Sequence, residues 1–168
     1  MTEQVFNLLN EQIMKELYSA YLYLDMANYY SDHGLEGFEN WFYIQAREEQ
    51  DHAMLIRSYL HYNGQKVTLL PIDAPQKDYS DYAAPLHKTL SHEKEVTALI
   101  HNIVAAAYEG KDYRTLEFLN WFVKEQAEEE KNANDLIQKY TLLGSDPKGI
   151  YLIDQELKAR TYTPPSLV

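Results

Sequence analysis

The stretch Arg-Glu-Glu-Gln-Asp-His-Ala, residues 47–53, sets a glutamate and a histidine three positions apart, at Glu49 and His52. On a helix that spacing puts both side chains on one face, about one turn from each other. Phe38, Phe42, Gln45, Ile56 and Tyr59 extend the same face in steps of three and four. The motif therefore sits on the inward stripe of a helix spanning about 36–63. A lone E-x-x-H is a weak signal, because a solvated surface pair has the same spacing. Its meaning depends on what the rest of the chain sets beside it.

Three other segments carry stripes of the same kind. Over 3–31 the stripe is Phe6, Leu9, Ile13, Glu16, Ala20, Tyr23 and Ala27; over 83–109 it is Leu86, Leu90, Glu93, Thr97, Ile100, Val104 and Ala107. Over 113–143 it is Leu119, Phe122, Gln126, Glu129, Ala133, Leu136 and Tyr140. Each is apolar at both ends and polar in the middle. Glycine and proline fall between these segments, at Gly34, Gly64, Pro71, Pro75, Gly110, Gly144 and Pro147. The short links at 32–35 and 110–112 make each flanking pair of helices antiparallel, whereas residues 64–82 are long enough to run the length of a bundle. The pattern predicts an all-α fold: a four-helix bundle with one long crossover between helices two and three, plus a short C-terminal fifth helix near 149–159. Residues 1–145 form the bundle, and 146–168 are a helix and tail of the same domain.

Helical rise then gives depth. Glu16 and Glu49 each lie ~20 Å from the turn that joins their helices, and Glu93 and Glu129 each lie ~24 Å from theirs. Four carboxylates can meet in one mid-bundle layer. Unit charges ~4 Å apart repel by ~4 kcal/mol at an effective dielectric of 20, and no Lys or Arg stands on the four stripes to offset them. Protons or metal ions must supply the positive charge. Oxygen-rich ligands with one imidazole suit Fe or Mn better than a structural zinc site.

The composition narrows the function further. No cysteine occurs among the 168 residues, which rules out thiolate zinc sites, Cys-ligated iron–sulfur clusters and Cys nucleophiles. A net charge of −11 disfavours nucleic acid and anionic lipid and attracts cations. No basic leader and no apolar run of membrane-spanning length is present, so the expected setting is the cytoplasm, without a membrane partner.

At NEQIMKELYSAYLY (10–23), REEQDHA (47–53), SHEKEVT (91–97), NWFVKEQAEEEK (120–131) and GIYLIDQEL (149–157) the chain resembles the non-haem bacterial ferritins. The resemblance implies a ferroxidase pair of irons, one held by Glu16, Glu49 and His52 and the other by Glu49, Glu93 and Glu129, with Glu49 bridging. It also places Gln126 beside the second iron and Tyr23 near the centre, as a packed aromatic or as a redox participant. Glu48, Glu125 and Glu128, together with Glu129, match a third iron site. Fe(II) and Fe(III) are the implied cargo and O2 or H2O2 the oxidant, in a shell of twenty-four subunits that stores ferric mineral. Tyr151, Leu152, Ile153 and Leu157 would give the fifth helix an apolar side for symmetry mates. Haem-binding relatives carry a methionine where this chain has Gln50, and a second E-x-x-H where it has QAEE (126–129), so no haem is expected. Two other readings are a di-iron oxidoreductase or peroxidase without a storage shell, and a structural bundle that holds no metal.

Overall fold

Thr2 starts the first helix: its Oγ1 accepts a hydrogen bond from the Val5 amide at 3.2 Å, and α1 runs Glu3–Asp32. Gly34, at φ +71°, turns the chain in the left-handed region, and α2 follows over Glu36–Tyr62. After the long connection come α3 (Ala84–Glu109) and α4 (Tyr113–Leu143), the latter capped by Asp112, whose carboxylate accepts from the Thr115 amide. The computed structural model describes residues 1–75 and 78–165; residues 76 and 77 of the crossover and 166–168 of the expected tail lie outside it.

Helix α1 packs along α2 and α3 along α4, and the two pairs meet where α1 faces α3. On the opposite side of the bundle, side chains make the contact: Tyr59 of α2 stacks on Phe118 of α4 with ring centroids 3.9 Å apart. The crossover follows α1 from one end to the other. Near the start of α1, the Asn10 side chain accepts from the Thr68 amide and donates to the Thr68 carbonyl, both at 2.9 Å. Near its finish, Tyr79 donates to Asp25 at 3.0 Å and Tyr30 to the Tyr82 carbonyl at 2.6 Å. This path makes α2 and α3 parallel, the connectivity expected from the link lengths.

The hydrophobic core is in two parts. One groups Leu9, Ile13, Ile56, Ile100, Leu119 and Phe122; the other groups Met26, Tyr30, Phe38, Phe42, Leu86 and Leu136. Between them lies the polar interruption of the four stripes.

The short fifth helix is present, shifted two residues from the expected span, and its apolar side is divided. It spans Pro147–Leu157, starting two residues early because Asp146 caps it, accepting from the amides of Lys148 (2.8 Å) and Gly149 (3.1 Å). Proline at the first helical position reinforces that start. The expected apolar side is split. Ile153 and Leu157 are buried against the protein's own bundle, while Tyr151 and Leu152 point outward. Asp154, also buried, caps α2 from the far end of the chain, its Oδ1 accepting from Gly37 N at 2.7 Å and Phe38 N at 3.2 Å. Leu35, at the start of α2, supplies no side-chain cap of its own. A side chain at Gly37 would not fit, since a Cβ there would lie 1.7 Å from the Asp154 carbonyl oxygen.

Candidate metal centre

Each helix of the bundle contributes one carboxylate to the layer between the two core halves: Glu16 from α1, Glu49 from α2, Glu93 from α3 and Glu129 from α4. With His52 they are only 1–5% exposed. Ligand atoms of Glu16, Glu49 and His52 all lie within 4.8 Å of one another. His52 Nδ1 is 3.3 Å from Glu49 Oε2, and on the other side of the ring Nε2 is 3.8 Å from Glu125 Oε1.

Burial dominates the electrostatics. It raises the Glu16 carboxyl, and it raises Glu49 well above the carboxylate range, with Glu93, Glu16 and Glu129 pushing Glu49 further in the same direction. Glu93 is lifted to about 7 by burial, against the hydrogen bonds it accepts from Tyr23 and Gln126. Glu129 is lifted to about 8 by burial and by Glu93. A layer that resists ionisation this strongly favours a bound cation, because positive charge at its centre lets all four groups ionise together.

Two further atoms fit a metal. Glu16 Oε2 and His52 Nε2 are buried without a hydrogen-bond partner, a costly state for polar groups of this kind. The donor set of carboxylate oxygens and one imidazole suits a first-row divalent ion.

The remaining residues expected at the site have distinct positions. The Tyr23 hydroxyl, fully buried, donates to Glu93 Oε1. The Gln126 amide donates to Glu93 Oε2 at 3.1 Å, so this residue holds a neighbouring carboxylate. Glu125 is half-buried beside His52, and Glu128 is exposed. Glu48 is half-buried and already engaged, accepting from Arg160 Nη2 at 2.7 Å.

Five residues in and around the layer carried no assigned role in the sequence pattern. Gln12 donates to Glu16 at 3.0 Å, one turn away on α1, and that spacing was visible in the sequence. Gln45 donates to Glu129 Oε2 at 2.8 Å; it stood on the stripe without an assigned function. Ser19 Oγ lies 2.8 Å from Nε2 of His92, whose imidazole burial pushes down to about 4, and both are off the inward stripes. Arg160 lies beyond the last helix, where periodicity is silent.

Four helices with one long crossover, each turning a carboxylate into a shared buried layer beside a single imidazole, define a ferritin-like metal-binding bundle. The ferritin-like domain pattern matches residues 6–143, and the chain belongs to the ferritin family. It is similar to the bacterial non-heme ferritin of Staphylococcus aureus, 36% identical over 162 residues that cover 96% of this chain and 98% of that protein. It is likewise similar to a probable bacterial non-heme ferritin-like protein of Haemophilus influenzae, 37% identical over 157 residues, 94% of this chain and 95% of that one. Among solved structures, an open-pore ferritin of the archaeon Archaeoglobus fulgidus superposes with a TM-score of 0.94 at 39% identity, covering 96% of this chain and 99% of that chain. A humanized archaeal ferritin gives 0.95 at 40% identity, covering 98% and 99%.

Proposed function

We propose that this protein is a ferroxidase and iron-storage subunit that takes Fe(II) as its substrate in the buried carboxylate layer. The observation that carries the proposal is the Glu16, Glu49 and His52 cluster, whose ligand atoms converge within 4.8 Å and include two buried atoms lacking a partner. In this reading Glu16, Glu49 and His52 bind one Fe(II), and Glu49, Glu93 and Glu129 bind the second. Each Fe(II) gives one electron to O2 or peroxide, and the Fe(III) formed moves on to be stored. The protein's part is to hold the carboxylates at fixed spacing, to keep water out with the two core halves, and to orient Glu93 through Tyr23 and Gln126. Glu48, Glu125 and Glu128, flanking this layer with Glu129, form the outer third site, and none of the iron positions uses haem.

Storage requires a shell, and an apolar surface supports self-association. Leu17, Ala20, Tyr21, Leu24, Ala46 and Ile72, with the polar Gln50, line a groove of about 360 Å³ along α1, α2 and the crossover. Such a face suits a second copy of the chain, and twenty-four copies would close the shell.

The test is to mix apoprotein with Fe(II) in air and follow ferric absorbance. Wild-type protein accelerates the rise; Glu49→Ala with His52→Ala returns it to the protein-free rate. Equal rates for the two proteins would overturn the assignment, and a mass in solution of only one or two subunits would favour an oxidoreductase without storage.

A further inference from the structure

After α5 the chain crosses the outer side of α2 as an extended strap. The Asn40 amide fastens it, donating to the carbonyls of Leu157 (3.1 Å) and Arg160 (3.0 Å), and Tyr162 donates to Asp51 while its ring lies under the Arg47 guanidinium, 3.7 Å from centroid to Cζ. Arg160 is the residue of the strap that turns inward. Its Nη1 donates to the Trp41 carbonyl at 3.1 Å, and its Nη2 donates both to Glu48 Oε2 at 2.7 Å and to Gln45 Oε1 at 2.5 Å. The guanidinium stands over the Trp41 ring, 4.9 Å from its centroid.

Gln45 is completely buried, and its other end donates to Glu129 Oε2 at 2.8 Å. An amide has one accepting and one donating end, and it can reverse them by a half-turn about its last bond. Arginine can only donate, so its contact with Oε1 forbids that reversal and commits Nε2 to Glu129. A carboxylate oxygen held by a donor is fixed in place, and the other oxygen of Glu129 is left for a ligand. The cation at the far end also polarises the amide in the direction that strengthens its bond to an ionised Glu129.

We infer that Arg160 is a positioning residue for the metal centre, acting through the Gln45 amide to hold Glu129 in its metal-binding geometry and so linking docking of the C-terminal strap to the layer inside the bundle. The inference rests on the reading of Glu129 as a metal ligand. Supporting residues of this type change metal affinity by about 10- to 100-fold when removed. The strap thereby makes the second metal position depend on a segment that no stripe of the bundle contains.

The experiment is anaerobic titration of the assembled apoprotein with Co(II), followed by visible absorption. Arg160→Gln weakens the second binding step about tenfold. Gln45→Met weakens the same step by a similar factor, and the double variant is no weaker than either single one. Tyr162→Phe, which removes a hydrogen bond beyond Arg160 and leaves both the Asn40 fastening and the Arg160–Gln45 bond in place, binds as wild type. Arg160→Lys recovers part of the affinity lost in Arg160→Gln, and that comparison decides the matter if Gln45→Met does not assemble: recovery supports the inference and its absence overturns it. Wild-type binding by Arg160→Gln, additive losses in the double variant, or an equal loss in Tyr162→Phe would each overturn it as well. Glu129→Gln separates the two readings. If it binds Co(II) unchanged, the ligand assignment falls and takes the inference with it. If it loses the second step while Arg160→Gln does not, the inference alone is wrong.

Discussion

Glu49 meets His52 across one turn of α2, Oε2 to Nδ1 at 3.3 Å, in a position where three other carboxylates raise its pKa and none lowers it. A group so placed works against the stability of the metal-free protein. Replacing it with a neutral isostere, Glu49→Gln, should raise the stability of the apoprotein at pH 7 by about 1–2 kcal/mol. Thermal unfolding would show a midpoint about 3–6 °C higher. The same variant should gain less than wild type from added Fe(II) or Co(II), because one carboxylate of the Glu16, Glu49 and His52 cluster is gone.

The carboxylate layer also sets a pH dependence. Glu93 and Glu129 have folded-state values of about 7 and about 8, above the ordinary 4.5 of the unfolded chain. Between 4.5 and 8 the folded protein keeps protons that the unfolded chain releases, so its stability falls as pH rises. The contribution is complete below pH 4.5 and is lost as pH passes 7 to 8. Metal-free protein should therefore melt roughly 5–10 °C lower at pH 8 than at pH 5.5. Saturating Co(II) should remove or reverse this slope, since the bound cation favours the ionised carboxylates.

Tyr23 offers a sharper test of geometry. Its hydroxyl donates to Glu93 from a fully buried ring packed near Phe42 and His92. In Tyr23→Phe the ring and its packing remain while the bond to Glu93 disappears. Co(II) affinity on the Glu93 side should fall about tenfold, with the oxidation rate falling alongside it. A loss of rate with unchanged affinity would instead point to electron transfer by the tyrosine itself.

Asp154 should prove necessary for stability although it stands at the start of α2, away from the carboxylate layer. Asp154→Ala leaves the amides of Gly37 and Phe38 buried without an acceptor, at a cost of about 2–3 kcal/mol. Asp154→Asn keeps an acceptor oxygen and should lose about half as much. Gly37→Ala should be at least as damaging as Asp154→Ala, because its Cβ would collide with the Asp154 backbone. Chemical denaturation of the three variants gives this order directly.

Much of this arrangement was legible in the sequence because it is periodic. Glu16, Glu49, Glu93 and Glu129 declared themselves as polar steps in apolar stripes, and the lengths of the links carried the topology. The contacts that escaped are those that join a regular element to an irregular one. Arg160 follows the last helical turn, and nothing in its neighbours directs it to Gln45. Asp154 lies on a helix, but its task at Gly37 follows from how α5 is docked. The fifth helix misled for another reason: Ile153 and Leu157 are one turn apart, yet Tyr151 and Leu152 belong to a second apolar side, and eleven residues are too few for periodicity to separate them.

The long reach of Asp154 and Arg160 also orders events during synthesis. Gly37 finds its acceptor 117 residues downstream, and Gln45 finds its donor 115 residues downstream. A ribosome delivers both partners only after the stripes of all four long helices have been made. The nascent chain can collapse around its two core halves early, but α2 stays open at its first turn and Glu129 lacks its anchored neighbour until Asp154 and Arg160 have emerged. Capacity to handle iron is thereby postponed until the strap has been made, and a subunit truncated before residue 154 would emerge folded in outline but unfinished at its centre.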